Sequence, residues 1–184
     1  MNQQKPTVMH VSLTKTLLAV AVILAVSPVG AGAQGALGNL VSEGGFDWLI
    51  GKWQATTDEG QIQLEYKWEL NKNLITIHLK WPDYEYRGMI FYVPAKEEVT
   101  QIGVDHEGAT GKGTWEAMGN KALLKHEHTG LYGEVNRMGF AHARVDAETM
   151  KMEVYEMYSD GELAEEPGVT LQFKRQKTQP AKIK

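Results

Sequence analysis

From residue 61 the chain alternates without exception: Ile62, Leu64, Tyr66, Trp68 and Leu70 are separated by Gln61, Gln63, Glu65, Lys67 and Glu69. Residues i and i+2 of a strand share a face, so the run predicts a strand over 61–70 with one buried side. Asn71-Lys72-Asn73 then predicts a tight hairpin into 74–81, where Ile75, Ile77, Leu79 and Trp81 share a face and Pro82-Asp83 ends the run. Less regular versions of the pattern predict strands over 51–57, 84–93, 99–106, 112–118, 122–129, 137–145, 151–159 and 169–177. The breaks between them are rich in turn formers, among them Asp58-Glu59-Gly60, Pro94-Ala95-Lys96, Gly119-Asn120 and Asp160-Gly161. The only helical feature expected is a turn at 46–50.

Short connections make neighbouring strands antiparallel and give an up-and-down meander. Ten such strands leave two long edges unless the sheet closes on itself. The expectation is therefore an all-β domain, a closed antiparallel barrel of about eight to ten strands over 46–177. A barrel of that size either fills its interior with side chains or holds one small ligand. Tyr66, Trp68, Ile75, Ile77, Trp81, Leu124, Phe140, Val169, Leu171 and Phe173 are expected to face inward. Met89, Met118, Met138, Met152 and Met157 would supply soft, adaptable surface. Candidate ligand contacts are Tyr66, Trp68, Ile77, Trp81, Tyr86, Phe140 and Tyr155.

Composition narrows the setting. The 184 residues, 42% of them hydrophobic, suffice for one domain with a core. Residues 1–33 read as an export signal: Lys5 and Lys15 precede an apolar stretch from Leu17 to Val26, and Ala31-Gly32-Ala33 forms a cleavage site. That stretch is about half the length a bilayer span needs, so stable membrane insertion is not expected after cleavage. Residues 34–45 read as a flexible linker and 178–184 as a polar tail. There is no cysteine, which leaves no disulfide, thiolate metal site or thiol nucleophile. Removing Lys5 and Lys15 leaves 17 basic residues against 23 acidic ones, a net charge near −6 that argues against nucleic acid as a partner. The expected location is periplasmic or secreted.

One motif suggests a fold family. Phe46-Asp47-Trp48-Leu49-Ile50-Gly51-Lys52-Trp53 puts Gly51-x-Trp53 at the start of the first strand, and Arg175 lies on the last. The chain thereby resembles the calycin superfamily of lipocalins and fatty-acid-binding proteins, and in particular exported bacterial lipocalin-like domains that open on a segment of this type. The resemblance covers about 46–177. It implies that Trp53 plugs the closed end of the barrel, with Arg175 stacked on it, and that a small hydrophobic or amphipathic molecule binds inside. The chain departs from lipocalins in lacking a C-terminal helix and a disulfide, and has no heme-ligand context of the nitrobindin kind.

The sharpest candidate chemistry is His126-Glu127-His128. At i and i+2 both imidazoles share a face, and two such nitrogens can serve one metal. If the following hairpins close as the turns suggest, His142 comes alongside and Glu153 falls opposite it, so that His126, His128, His142 and Glu153 form a metal or acid-base group. A solvated outer face is the competing reading of the same residues. No cofactor is required by the sequence, although a metal fits this cluster. Enzyme activity is therefore the alternative to ligand binding, and a filled barrel serving as an interaction module is the third reading. Gly108, Gly111 and Gly113 are not a phosphate loop, because no helix follows them. No serine nucleophile motif is present.

Overall fold

Ten strands follow one another round a single sheet in chain order, and the tenth returns to the first. They are β1 (Gly51–Thr57), β2 (Gly60–Glu69), β3 (Leu74–Trp81), β4 (Tyr84–Val93), β5 (Glu98–Asp105), β6 (Thr110–Met118), β7 (Lys121–Thr129), β8 (Val135–Arg144), β9 (Thr149–Glu156) and β10 (Val169–Arg175). All neighbours are antiparallel. The structure is a computed structural model and describes residues 35–177. The expected leader over 1–33 and tail over 178–184 lie outside the described residues.

The period-2 runs became strands for the reason they were legible: each has one face to bury. Ile62, Leu64 and Tyr66 of β2 and Ile75 and Ile77 of β3 are buried, while their polar alternates line the outside. β7 reads differently, with Ala122, Leu123 and Leu124 all buried. The segment after β9 covers the outer face at Gly139 of the neighbouring strand β8. Met157 bridges to Leu163, and Leu163 lies so close to Gly139 of β8 that a Cβ there would meet it at 2.5 Å. That detour also ends β9 at Glu156, short of the expected 159.

Residues 34–45 are not a flexible linker where the structure describes them. Ala36–Glu43 form a helix, α1. Its Leu37 is only 1% exposed, in one core cluster with Leu49 and Trp53. Gly35 N–H donates to Asn71 O at 3.1 Å and Ala36 N–H to Asn73 Oδ1 at 3.2 Å, which ties the helix start to the β2–β3 turn. The segment's small and polar residues concealed two apolar anchors one turn apart, Leu37 and Val41. The turn itself is not an ordinary hairpin: Leu70, Asn71 and Lys72 all have positive φ.

The first and last strands meet through two residue pairs, Trp53 with Arg175 and Gln54 with Lys174. There the Arg175 guanidinium lies 4.1 Å from the Trp53 ring centroid. Its Nη1 donates to Ile50 O at 2.9 Å and its Nη2 to Trp48 O at 2.6 Å. Trp53, 1% exposed, donates Nε1–H to Leu49 O at 2.8 Å and meets Trp48 edge-on. Gly51 makes the approach feasible, because its φ is +132° and a Cβ there would fall 2.5 Å from Arg175 Nη1. A planar, permanently charged fork is needed to cover a ring and reach two carbonyls together.

We expect Arg175→Ala to lower the unfolding free energy in urea by about 2–4 kcal/mol. Arg175→Lys should restore less than half of that loss, since an ammonium cannot stack and fork together, and Gly51→Ala should be comparably harmful. A loss below about 0.5 kcal/mol for Arg175→Ala would show that the seam is held by other contacts.

Candidate functional site

Trp53, α1 and the turn at 47–49 gather at one end of the barrel, where β1 begins. A cavity of about 930 Å³ occupies the interior and opens toward the other end, where Glu59, Asp83 and Glu156 stand with Trp81, Tyr84 and Arg137. Its two sides differ in chemistry. The arc from β9 through β10 and on to β2 and β3 supplies Met152, Val154, Leu171, Phe173, Ile62, Leu64, Ile77 and Leu79. The arc from β4 to β8 supplies Tyr86, Gln101, His126, His128 and His142 among apolar neighbours such as Leu124 and Phe140.

The three histidines all face inward, yet each belongs to a different set of contacts. His142 is 1% exposed. Its Nδ1 lies 3.2 Å from Ala122 O and 3.1 Å from Phe140 O. Carbonyls only accept, so Nδ1 carries the hydrogen and Nε2 accepts the Tyr66 hydroxyl at 3.1 Å. Trp115 stacks obliquely on the same imidazole at 5.1 Å and donates Nε1–H to Gln101 Oε1 at 3.0 Å. Burial, opposed only in part by the two carbonyls, pushes the His142 imidazole down to about 4. Burial also raises the Tyr66 hydroxyl, with Tyr86 adding to it. Both groups are neutral at ordinary pH.

His126 stands apart, edge-on to Tyr86 at 6.0 Å and to Phe140 at 6.2 Å. It is 7% exposed, and its Nδ1 is buried without a hydrogen-bond partner. Burial, aided by the neighbouring His128, takes it down to about 4. At the mouth, His128 Nε2 donates to Asp105 Oδ2 at 3.0 Å. Asp105 Oδ1 accepts the N–H groups of Ala109 and Glu107, which shapes the turn into β6. Burial works against the Asp105 charge, but these three hydrogen bonds outweigh it and hold the carboxyl below its usual value.

Glu153 does not join the histidines. The β8–β9 register pairs it with Ala141 and sets Met152 opposite His142, one residue away from the expected alignment. A slip of one residue turns a strand position to the other face. Glu153 is held on the outside by Lys121, Lys151 and the Tyr155 hydroxyl. Those lysines, with the Tyr155 hydrogen bond, outweigh burial and take its carboxyl down to about 2. Among the described residues no group of three or more His, Cys, Asp or Glu side chains is placed to hold a metal.

Of the expected ligand contacts, Tyr66, Ile77, Trp81, Tyr86 and Phe140 line the cavity. Tyr155 points outward with Glu153, and Trp68 packs against the core without reaching the cavity lining. Met138, Met152 and Met157 line it as well, whereas Met89 is on the exposed outer surface and Met118 is not part of the lining. Sequence reasoning missed Gln101, Asp105 and the inner glycines. Gly88 pairs with Gly103, and Gly103 with Gly111, in a row across β4, β5 and β6. A Cβ at Gly103 would meet the Tyr86 hydroxyl at 2.4 Å, and one at Gly111 would meet His126 Cε1 at 2.5 Å. Glycines recurring at inward strand positions signal such close approach, and that signal was available in Gly103, Gly111 and Gly113.

The class these features define is a closed ten-stranded antiparallel β-barrel with an internal cavity, which fits the calycin-like fold in general. No protein-family model matches the chain, and no curated protein matches it.

The two depressed imidazoles fix the sign of the pH dependence. The unfolded chain takes up a proton at each near pH 6.5, while the folded chain resists until about 4, so stability falls as pH drops through that window and the loss levels off below it. Each ring should remove about 2 kcal/mol between pH 7.5 and pH 5. Glu153 and Asp105 act in the same direction, but only once the pH falls through the unfolded carboxylate range near 4 and below. Urea midpoints at pH 7.5 and 5.0 check this, and His126→Phe should remove about half of the histidine-linked fall. A midpoint independent of pH between those values would contradict the buried, neutral assignment.

Proposed function

We propose that this chain is an exported, lipocalin-like binding protein that holds a small hydrophobic or amphipathic molecule inside its barrel. The observation that carries the reading is the cavity itself. At about 930 Å³ it has the size of a small-molecule site, and it pairs an apolar wall with a few inward polar groups. A barrel whose only task was stability would be expected to fill that space, because interiors pack to crystal-like density. The closed end suits the same reading, since the Trp53–Arg175 plug leaves the opposite mouth as the route of entry. Export rests on the leader pattern of residues 1–33, and the acidic net charge makes nucleic acid a poor partner.

The test is binding of an apolar fluorophore, 1-N-phenylnaphthylamine, to the purified chain, together with native mass spectrometry for co-purifying molecules. Saturable one-to-one fluorescence enhancement is expected. Val154→Trp, which projects an indole into the cavity from the apolar wall, should weaken it about tenfold or more while leaving the far-ultraviolet circular dichroism unchanged. An absence of saturable binding together with no co-purifying molecule would defeat the reading and favour a barrel that acts only through its outer surface.

A further inference from the structure

His126 lines the cavity and keeps a buried ring nitrogen that no described residue engages. No other described residue has a buried side-chain nitrogen or oxygen left without a partner. Tyr66 and His142 satisfy each other, and His128 is committed to Asp105. The His126 ring is held firmly, wedged between Tyr86 and Phe140 and lying over Gly111, where any side chain would displace it. Such pre-organisation around an unused imidazole is what a ligand contact requires.

The ring's own chemistry tells what it offers. Nδ1 is sealed, so contact with an occupant falls to Nε2. A buried N–H without an acceptor is rarer in proteins than an under-used lone pair. The hydrogen of the neutral ring therefore belongs on Nε2, which is also the commoner tautomer of free neutral histidine, and the ring presents a donor. Tyr86 repeats the theme beside it: its hydroxyl accepts from Gln101 Nε2 at 3.5 Å, and no acceptor for its own hydrogen is found among the described residues. Both groups ask for an acceptor on the ligand.

Charge narrows the class. Glu59, Asp83 and Glu156 stand at the mouth, and behind the lining His128 the Asp105 carboxyl is held below its usual value. Arg137, the cation at the mouth, is drawn to Glu127, with Nε 2.9 Å from Oε1. A carboxylate ligand would enter a negative field and would find His126 resistant to becoming its counter-ion, because burial keeps that ring unprotonated. Resting on the binding function above, we propose that the occupant is a neutral, largely apolar molecule bearing a carbonyl or ether oxygen, which accepts a hydrogen bond from His126 Nε2.

Three compounds of one ring skeleton test this on the full chain by displacement of 1-N-phenylnaphthylamine: limonene, a hydrocarbon; carvone, which carries a ketone; and perillic acid, which carries a carboxylate. The ratio of carvone to limonene affinity should fall about 5- to 10-fold in His126→Phe, the worth of one neutral hydrogen bond, with limonene itself changed less than about twofold. Perillate should bind most weakly. Nitrogen-15 spectra of the wild-type protein give a readout that needs no variant: His126 should be protonated on Nε2 and bare on Nδ1, and carvone but not limonene should shift the Nε2 resonance. An unchanged ratio, a hydrogen on Nδ1 or tightest binding by perillate would overturn the proposal while leaving the binding function standing. If none of the three displaces the fluorophore and the fluorophore itself does not bind, the binding function falls too.

Discussion

A ten-stranded sheet becomes a barrel only if its first and last strands are joined, and here that junction is narrow. Two residue pairs link β1 to β10, and at the first of them the Arg175 guanidinium lies on Trp53 and bonds the carbonyls of Trp48 and Ile50. Beside the backbone pairing and the Gln176 N–H to Lys52 O bond, one side chain ties the end of the sheet to its beginning and to the 47–49 turn. Gly51 belongs to the same device, since any Cβ there would strike the guanidinium. Leu37, Leu49 and Trp53 are buried at that end, and the cavity lining reaches the turns at the other.

The interior is chemically divided between its two arcs. Apart from the Tyr66 hydroxyl, the β9, β10, β2 and β3 wall is largely apolar and non-directional. The β4–β8 wall carries directional groups, and glycines at Gly88, Gly103 and Gly111 make room for Tyr86 and His126 to lie against it. Burial keeps the inner imidazoles of His126 and His142 neutral, so they act as fixed dipoles. His142 spends its hydrogen-bonding capacity on Tyr66 and two carbonyls and supports the floor. His126 Nδ1 has no partner among the described residues, and the proposed ligand contact rests on that difference.

The strands were legible because period-2 alternation is a local signal with a single physical cause, a sheet with one dry face. The bounds of β1, β3 and β4 agree with the residues expected from turn chemistry alone. The site was legible only in part. Tyr66, Tyr86 and Phe140 follow from strand parity, but Tyr155 and Glu153 do not, because the turn at 145–148 sets a register one residue from the alignment assumed. α1 was not legible because its apolar stripe is only one turn long, Leu37 with Val41, and gains its stability by docking on a distant core.

By itself, then, the sequence determined the all-β class, the order and rough limits of the strands, the glycine and tryptophan of the plug, and which residues share a face within each strand. Those properties depend on neighbours within a few positions. Tertiary structure alone decided which strand residues stand opposite one another, whether the lumen is hollow, and which histidine keeps a free nitrogen. Each of these depends on register and on contacts between residues far apart in the chain, such as Tyr66 with His142 or Gly111 with His126, and no local pattern encodes them.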